Sequence, residues 1–128
     1  MSSWLFIAVG SALGGVARHG VGLFIAQRLG QLFPWGTLAV NVVGSALIGV
    51  CAASLMNGAR SESIIREFLM IGFLGGFTTF SAFSLQTFQL MRDGKLAFAL
   101  ANVGGSLVLC LLAVWLGFAL AVRGANAA

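Results

Sequence analysis

The feature that most constrains this chain is a run of glycine and hydroxyl residues inside a long apolar segment. The run extends from Gly72 to Ser84 and reads Gly-Phe-Leu-Gly-Gly-Phe-Thr-Thr-Phe-Ser-Ala-Phe-Ser. Lipid offers no hydrogen bonds, so backbone that leaves helical geometry at membrane depth persists only where protein or a hydrated path satisfies its N–H and C=O groups. The run therefore predicts an interrupted membrane helix with a site for an ion or a substrate at the interruption.

The composition agrees with a membrane setting. Hydrophobic residues make up 59% of the chain, charged residues only 8%, and the mean hydropathy is +1.03. Soluble domains have roughly a quarter of their residues charged. The 128 residues leave room for about four helical spans of roughly 20 residues each. We expect an all-α integral membrane protein in which residues 1–128 form one transmembrane domain.

Four apolar runs separated by short connections are the candidate spans: Trp4 to Ala26, Thr37 to Met56, Ile64 to Leu90 and Leu96 to Val122. Because the connections are short, consecutive spans should run antiparallel. No basic residue precedes Arg18, and the first apolar run is too long for the core of a signal peptide, so it is interpreted as a true span.

Several functions find little support in the sequence. The net charge is +4, but the basic residues are scattered along the membrane edges and form no patch of the kind that phosphate binding needs. His19 stands alone and the two cysteines, Cys51 and Cys110, fall on different spans, so no metal cluster is expected. Both thiols lie in apolar spans, which favours packing roles over a disulfide. His19 is interpreted as a helix residue near an interface or a cavity.

The basic residues divide evenly between the two membrane sides. One side receives three and the other three: Arg60, Arg66 and Arg123 against Arg28, Arg92 and Lys95. Orientation is normally set by an excess of Lys and Arg in the cytoplasmic loops. A chain without that excess is predicted to insert in both orientations and to assemble as an antiparallel dimer. A fixed orientation set by folding or by a partner is the alternative.

Polar residues inside two spans could serve either packing or a transport path. Asn41 lies one turn from Gly44 and Ser45, at a depth where exposure to lipid would be costly. In the last span, polar or small side chains recur every four residues, at Asn102, Ser106 and Cys110. Such a stripe can bond neighbouring helices or line a path, and the spacing alone leaves both readings open.

The interrupted run favours the path. Phe80 and Phe83 share one helix face, with hydroxyls from Thr79, Ser81 and Ser84 close by. Aromatic ring edges are electropositive, and Asn, Ser and Thr supply neutral donors that replace water. This combination suits a small dehydrated anion.

Two other classes of membrane protein compete with an anion channel. Small four-span proton-coupled multidrug exporters depend on a buried carboxylate. Here the three acids, Glu62, Glu67 and Asp93, lie at or near span ends, which disfavours an exporter. A non-conducting assembly protein remains the third possibility, because small-residue helices also suit scaffolding.

Two motifs and one basic residue give the chain a resemblance to a known family. Gly36 to Gly44 reads Gly-Thr-Leu-Ala-Val-Asn-Val-Val-Gly, Gly72 to Ser84 is the run described above, and Arg18 lies in the first span. Over essentially its whole length the chain resembles the Fluc or CrcB fluoride channels. The resemblance implies a multi-pass protein of the prokaryotic inner membrane that is not an enzyme. It further implies an antiparallel, dual-topology homodimer with two pores that exports cytoplasmic fluoride passively and so lowers its toxicity.

The resemblance also implies roles for individual residues. It implies a fluoride path lined by Asn41, Phe80, Phe83 and Ser106, with Thr37 and Thr79 nearby. We add the hydroxyls of Ser81 and Ser84 to the pore lining because of their position beside the phenylalanines. A structural Na⁺ is expected on the dimer axis, held by the backbone carbonyls of Gly75 and Thr78 from each subunit. Arg18 is expected either to be a vestibule charge or to have a structural role.

Besides Phe77 in the sodium motif, where leucine is familiar, the chain departs from the family pattern at three positions. Gln86 stands where relatives carry glutamate, Asn102 where a tyrosine can occur, and Cys110 where a serine can occur. These departures concern the outer pore lining.

Overall fold

The described part of the chain is helical apart from its connections. The structure, a computed structural model, describes residues 2–55 and 66–127. Its elements in chain order are α1 (Ser2–Leu29), α2 (Trp35–Leu55), a π-helical segment α3 (Arg66–Leu74), the single turn α4 (Gly75–Phe77), α5 (Phe80–Arg92) and α6 (Leu96–Ala127).

Four helical segments in the described ranges are long and apolar enough to cross a membrane. They are Ser3–Leu29, Trp35–Leu55, Arg66–Arg92 and Leu96–Asn126, the third of which runs from α3 through α5. The prediction of an all-α chain with four membrane-length helices is therefore confirmed. Parts of that prediction lie outside the described residues, namely Met56, Arg60, Glu62 and Ile64.

Two helices continue beyond the ends assigned from hydropathy. α1 runs to Leu29 instead of Ala26, and α6 to Ala127 instead of Val122. Hydropathy marks where apolar side chains stop, whereas a helix stops where the backbone changes direction. For α1 that change comes at Gly30, whose φ of +79° is readily adopted only by glycine.

A tight turn joins α5 to α6. Asp93 ends α5, and its N–H donates to the carbonyl of Gln89. Gly94 has a φ of +74°, and Lys95 then donates to the carbonyl of Leu90 at 2.8 Å. This pattern closes a helix through a left-handed glycine. It brings α6 back antiparallel along α5.

Glycines let the helices approach backbone to backbone. A Cβ at Gly49 of α2 would meet the carbonyl of Val114 on α6, and one at Gly117 of α6 would meet the carbonyl of Ala46 on α2. α1 packs against α3 and α4 in the same way through four small residues at the spacing of close helix contacts, Gly10, Gly14, Gly72 and Gly76.

Candidate functional site

The backbone between α4 and α5 is extended rather than helical. Thr78 has φ −81° and ψ 157°, and Thr79 has φ −151° and ψ 117°. Thr78 still donates from both its N–H and its hydroxyl to the carbonyl of Leu74, at 3.0 and 2.9 Å. Thr79 begins α5 as its N-cap, since its hydroxyl accepts from the N–H of Ala82 at 3.1 Å. The two threonines thus close one helical segment and open the next.

Asn41 of α2 satisfies the peptide groups of Thr79. Its Oδ1 accepts from the N–H of Thr79 at 2.8 Å, and its Nδ2 donates to the carbonyl of Thr79 at 3.1 Å. Away from water, these groups would be costly without partners. One N–H of the Asn41 amide remains available after both bonds are made. Asn41 therefore supports the extended backbone and keeps a donor.

The carbonyls of Gly75 and Thr78 differ from those inside a continuous helix. The N–H of Thr79, which an α-helix would direct to Gly75, donates to Asn41 instead. The carbonyl of Thr78 accepts from Nη1 of Arg18 at 3.4 Å. A carbonyl oxygen has two lone pairs, so Thr78 retains acceptor capacity. Both residues border the same groove.

That groove, of about 390 Å³, lies between α2, the third span and α6. The predicted path residues Asn41, Phe80, Phe83 and Ser106 line it together with Cys110. The rings of Phe80 and Phe83 have centroids 5.4 Å apart and are tilted by 41°. The Phe80 side chain is 77% exposed, whereas Ser106 is buried. We call this surface the Phe80 groove.

A second cavity of about 550 Å³ carries most of the nearby charge. It is lined by Arg18 and His19 from α1, Gln86 from α5, and Asp93 and Lys95 at the turn. Thr37 lies here rather than in the Phe80 groove, and Thr79 borders both spaces. We call this space the Arg18 vestibule. It adjoins the Phe80 groove at Thr79.

Two of the predicted pore hydroxyls lie outside both spaces in this protomer. Ser84 is exposed and donates to the carbonyl of Phe80 at 2.9 Å. Ser81 is also exposed, with its Oγ 3.2 Å from Oγ1 of Thr79. Position beside the phenylalanines did not bring them to the groove, because residues adjacent in a helix point in different directions. Their pore assignment stays a prediction.

Sequence reasoning missed a hydrogen bond between α5 and α6. Nδ2 of Asn102 donates to Oγ1 of Thr87 at 2.9 Å, and Asn102 is only 1% exposed. The two residues are 15 positions apart and equally far from the turn at Gly94 and Lys95. Antiparallel helices joined by a tight turn bring equidistant residues together. Counting outward from this turn therefore pairs Thr87 with Asn102.

The acids that the structure describes lie at helix ends. Glu67 is in the first turn of α3 and accepts from Oγ of Ser3 at 2.9 Å, while Asp93 ends α5. Among the described residues, no group of three His, Cys, Asp or Glu side chains could hold a metal. The residues that line the Phe80 groove are all uncharged, and its polar groups are neutral donors and carbonyls beside rings and aliphatic side chains.

The comparison with known families decides the family of the chain. Residues 5–118 match the family described as "CrcB-like protein, Camphor Resistance (CrcB)". This chain belongs to the CrcB family. The resemblance inferred from the Gly36 to Gly44 and Gly72 to Ser84 motifs is confirmed.

Relatives in the CrcB family match nearly the full chain. A protein named fluoride-specific ion channel FluC from Opitutus terrae is 54% identical over 126 residues, covering 95% of this chain and 94% of the relative. Proteins of the same name from Methylocella silvestris and Paramagnetospirillum magneticum are 51% and 49% identical, covering 93% and 91% of this chain and 92% and 93% of the relatives.

Proposed function

We propose that this chain is a fluoride-selective channel through which cytoplasmic fluoride leaves the cell passively. The name of its CrcB relatives, fluoride-specific ion channel, supports this function. The chain is a multi-pass protein of the bacterial membrane and not an enzyme. Because the membrane potential is negative inside, it assists the exit of an anion by ~2.3 kcal/mol per charge for each 100 mV. Export in this form lowers fluoride toxicity without a chemical energy source.

The single observation that carries the proposal is the meeting of neutral anion-binding groups in the Phe80 groove. Asn41 keeps one N–H, and the buried Oγ of Ser106 has no hydrogen-bond partner among the residues that the structure describes. The rings of Phe80 and Phe83 offer electropositive edges. Donors of this kind recover part of the hydration energy that a small anion loses.

The ends of two helical segments add to the electrostatics. α5 begins at Phe80, and the N-terminal amides of a helix favour negative charge. The carbonyls at the end of α4 favour positive charge. We take the extended backbone at Thr78 and Thr79 as the break in the third span. This break thus suits an anion on the α5 side and a cation on the α4 side.

An antiparallel homodimer is part of the proposal. In the single chain the Phe80 groove is open and the Phe80 ring is exposed. Without a covering partner, the polar groups of the groove would lie beside acyl chains, which offer no hydrogen bonds. A second copy would close it and create two equivalent pores by symmetry. The even division of Lys and Arg between the two sides supports insertion in both orientations. Reporter fusions at the C-terminus should then signal from both sides of the membrane.

A structural Na⁺ would be held by the carbonyls of Gly75 and Thr78 from both subunits. The residues fit such an ion, because Gly75 lacks the amide of Thr79 as a partner and is exposed on the protomer surface. Hard cations prefer oxygen ligands. When bound, Na⁺ supplies a fixed positive charge beside a groove made of neutral groups. Arg18, bonded to the carbonyl of Thr78, extends that charge towards the vestibule.

The test is fluoride efflux from liposomes that contain the purified protein, followed with a fluoride electrode. A matched preparation loaded with chloride measures selectivity. A channel releases fluoride rapidly and retains chloride. Equal release of both anions, or fluoride release no faster than from protein-free liposomes, is incompatible with the proposed function.

A further inference from the structure

We infer that Asn102 is a positioning residue for fluoride conduction, acting through Thr87 to hold α5 and its phenylalanines in register with α6. This inference rests on the proposed channel function. Asn102 does not line the Phe80 groove. It lies one helical turn before Ser106, which lines that groove. The partner Thr87 likewise lies one turn after Phe83 and outside the groove lining.

The hydrogen-bond pattern fixes which way the Asn102 amide faces. Oγ1 of Thr87 donates its only hydrogen to the carbonyl of Phe83 at 2.8 Å. The hydroxyl can then only accept from Asn102, whose Nδ2 lies 2.9 Å away. The bonds form a relay from α6 through Thr87 to the backbone of Phe83. A displacement of Asn102 is therefore transmitted directly to a residue of the proposed path.

Helix α5 is held at two points that flank the rings. Its N-cap Thr79 is bonded to Asn41 of α2, and Thr87 is bonded to Asn102 of α6. Phe80 and Phe83 lie between these points. In the part of the chain that the structure describes, the Asn102 bond is the only side-chain hydrogen bond between α5 and α6. Loss of either point would let the rings shift relative to Ser106.

The chemistry of Asn102 indicates a role in register rather than in packing alone. Its side chain is buried, and its Oδ1 has no hydrogen-bond partner in residues 2–55 and 66–127. A buried acceptor without a hydrogen-bond partner lowers the stability of the fold, and an apolar residue of similar volume does not carry this cost. Polar residues in apolar helix contacts have their best-attested use in specifying register. The Asn102–Thr87 bond supplies such a specification where α5 borders the groove.

The test uses the whole channel in liposomes and a double-mutant cycle. Thr87→Val is nearly isosteric and removes the hydroxyl, whereas Asn102→Leu keeps the volume and removes the donor. We expect each variant to lower the fluoride efflux rate per folded dimer about tenfold, and the double variant to be no worse than either, because both remove one interaction. Thr87→Ser should restore the rate. Ser54→Ala removes a similar hydroxyl-to-carbonyl bond within α2 and should conduct normally.

Each outcome bears on the inference separately from the function. Absence of fluoride efflux in the wild type overturns both. If the wild type conducts, normal efflux in Thr87→Val overturns the positioning role. A double variant whose efflux rate falls by the product of the two single reductions also overturns it. Lower thermal stability with unchanged efflux assigns the bond to structure alone and also overturns the inference. If Asn102→Leu does not fold, Thr87→Val and its Thr87→Ser rescue decide.

Discussion

Asn41 forms two hydrogen bonds with the peptide groups of one residue, Thr79. Its Oδ1 accepts from the Thr79 N–H at 2.8 Å, and its Nδ2 donates to the Thr79 carbonyl at 3.1 Å. The amide thereby substitutes for the helical partners that extended backbone gives up. It also carries the remaining N–H that faces the groove in our account. The Asn41 side chain thus supports the extended backbone and, in the proposed channel, also binds the anion.

Asn41→Asp should abolish fluoride conduction. The carboxylate can accept from the Thr79 N–H, but it cannot donate to the Thr79 carbonyl, and its charge repels an anion. Loss of a buried hydrogen bond costs about 1 to 3 kcal/mol, which alone corresponds to a rate reduction of about fivefold or more. Efflux from liposomes measures the effect. Asn126→Asp, at the exposed end of α6, is the matched control and should conduct at the wild-type rate.

Gly14→Ala should destabilise the protein, whereas Gly15→Ala should not. A Cβ at Gly14 would collide with the carbonyl of Phe73, and one at Gly15 meets no atom within 4 Å in the protomer. Overpacking of this kind typically costs about 1 to 3 kcal/mol. In detergent, the thermal unfolding temperature of Gly14→Ala should be well below those of Gly15→Ala and of the wild type. Similar unfolding temperatures for both alanine variants would contradict the close contact between α1 and the third span.

Removal of the Arg18 charge should slow fluoride entry. Arg18 lines the vestibule and donates to the carbonyl of Thr78. Arg18→Gln retains hydrogen bonding but loses the charge that raises the local anion concentration. Efflux should fall, and its dependence on ionic strength should weaken, because salt screens the lost interaction. Arg18→Lys keeps the charge and should retain the salt dependence. An unchanged salt dependence in Arg18→Gln assigns Arg18 to packing.

Exchange of Na⁺ for a bulky organic cation should destabilise the proposed dimer. An ion that binds only the folded assembly stabilises it by about 2.7 kcal/mol at 100 times its dissociation constant. The thermal unfolding temperature should therefore rise with Na⁺ concentration at constant ionic strength. This measurement does not depend on conduction. An unfolding temperature that is the same in both cations would contradict the proposed structural Na⁺.

The sequence was sufficient for some parts of this description because they follow from local patterns. Hydropathy and length predict the four membrane-length helices. The glycine and hydroxyl run contains Thr78 and Thr79, whose backbone is extended. Each of these inferences needs only neighbouring residues and their physical chemistry.

Other parts depend on which helices meet, and local patterns do not supply that. The partners of Asn41 and of the Arg18 guanidinium lie on other helices, so spacing could not identify Thr79 or Thr78. The position of Ser84 beside Phe83 predicts a pore hydroxyl, whereas in the single chain that hydroxyl donates to the carbonyl of Phe80 on its own helix. Asn102 could have been matched with Thr87 by counting from the turn. That count requires knowing beforehand that α5 and α6 pack closely.

The most direct test of the account compares fluoride efflux in Phe80→Ile and Phe88→Ile. Both residues are exposed phenylalanines of α5, but only Phe80 lines the groove beside Asn41 and Ser106. Isoleucine removes the electropositive ring edge in each case. If the groove carries the anion, Phe80→Ile loses efflux while Phe88→Ile matches the wild type. Wild-type efflux in Phe80→Ile would contradict the assignment of this groove as the fluoride path.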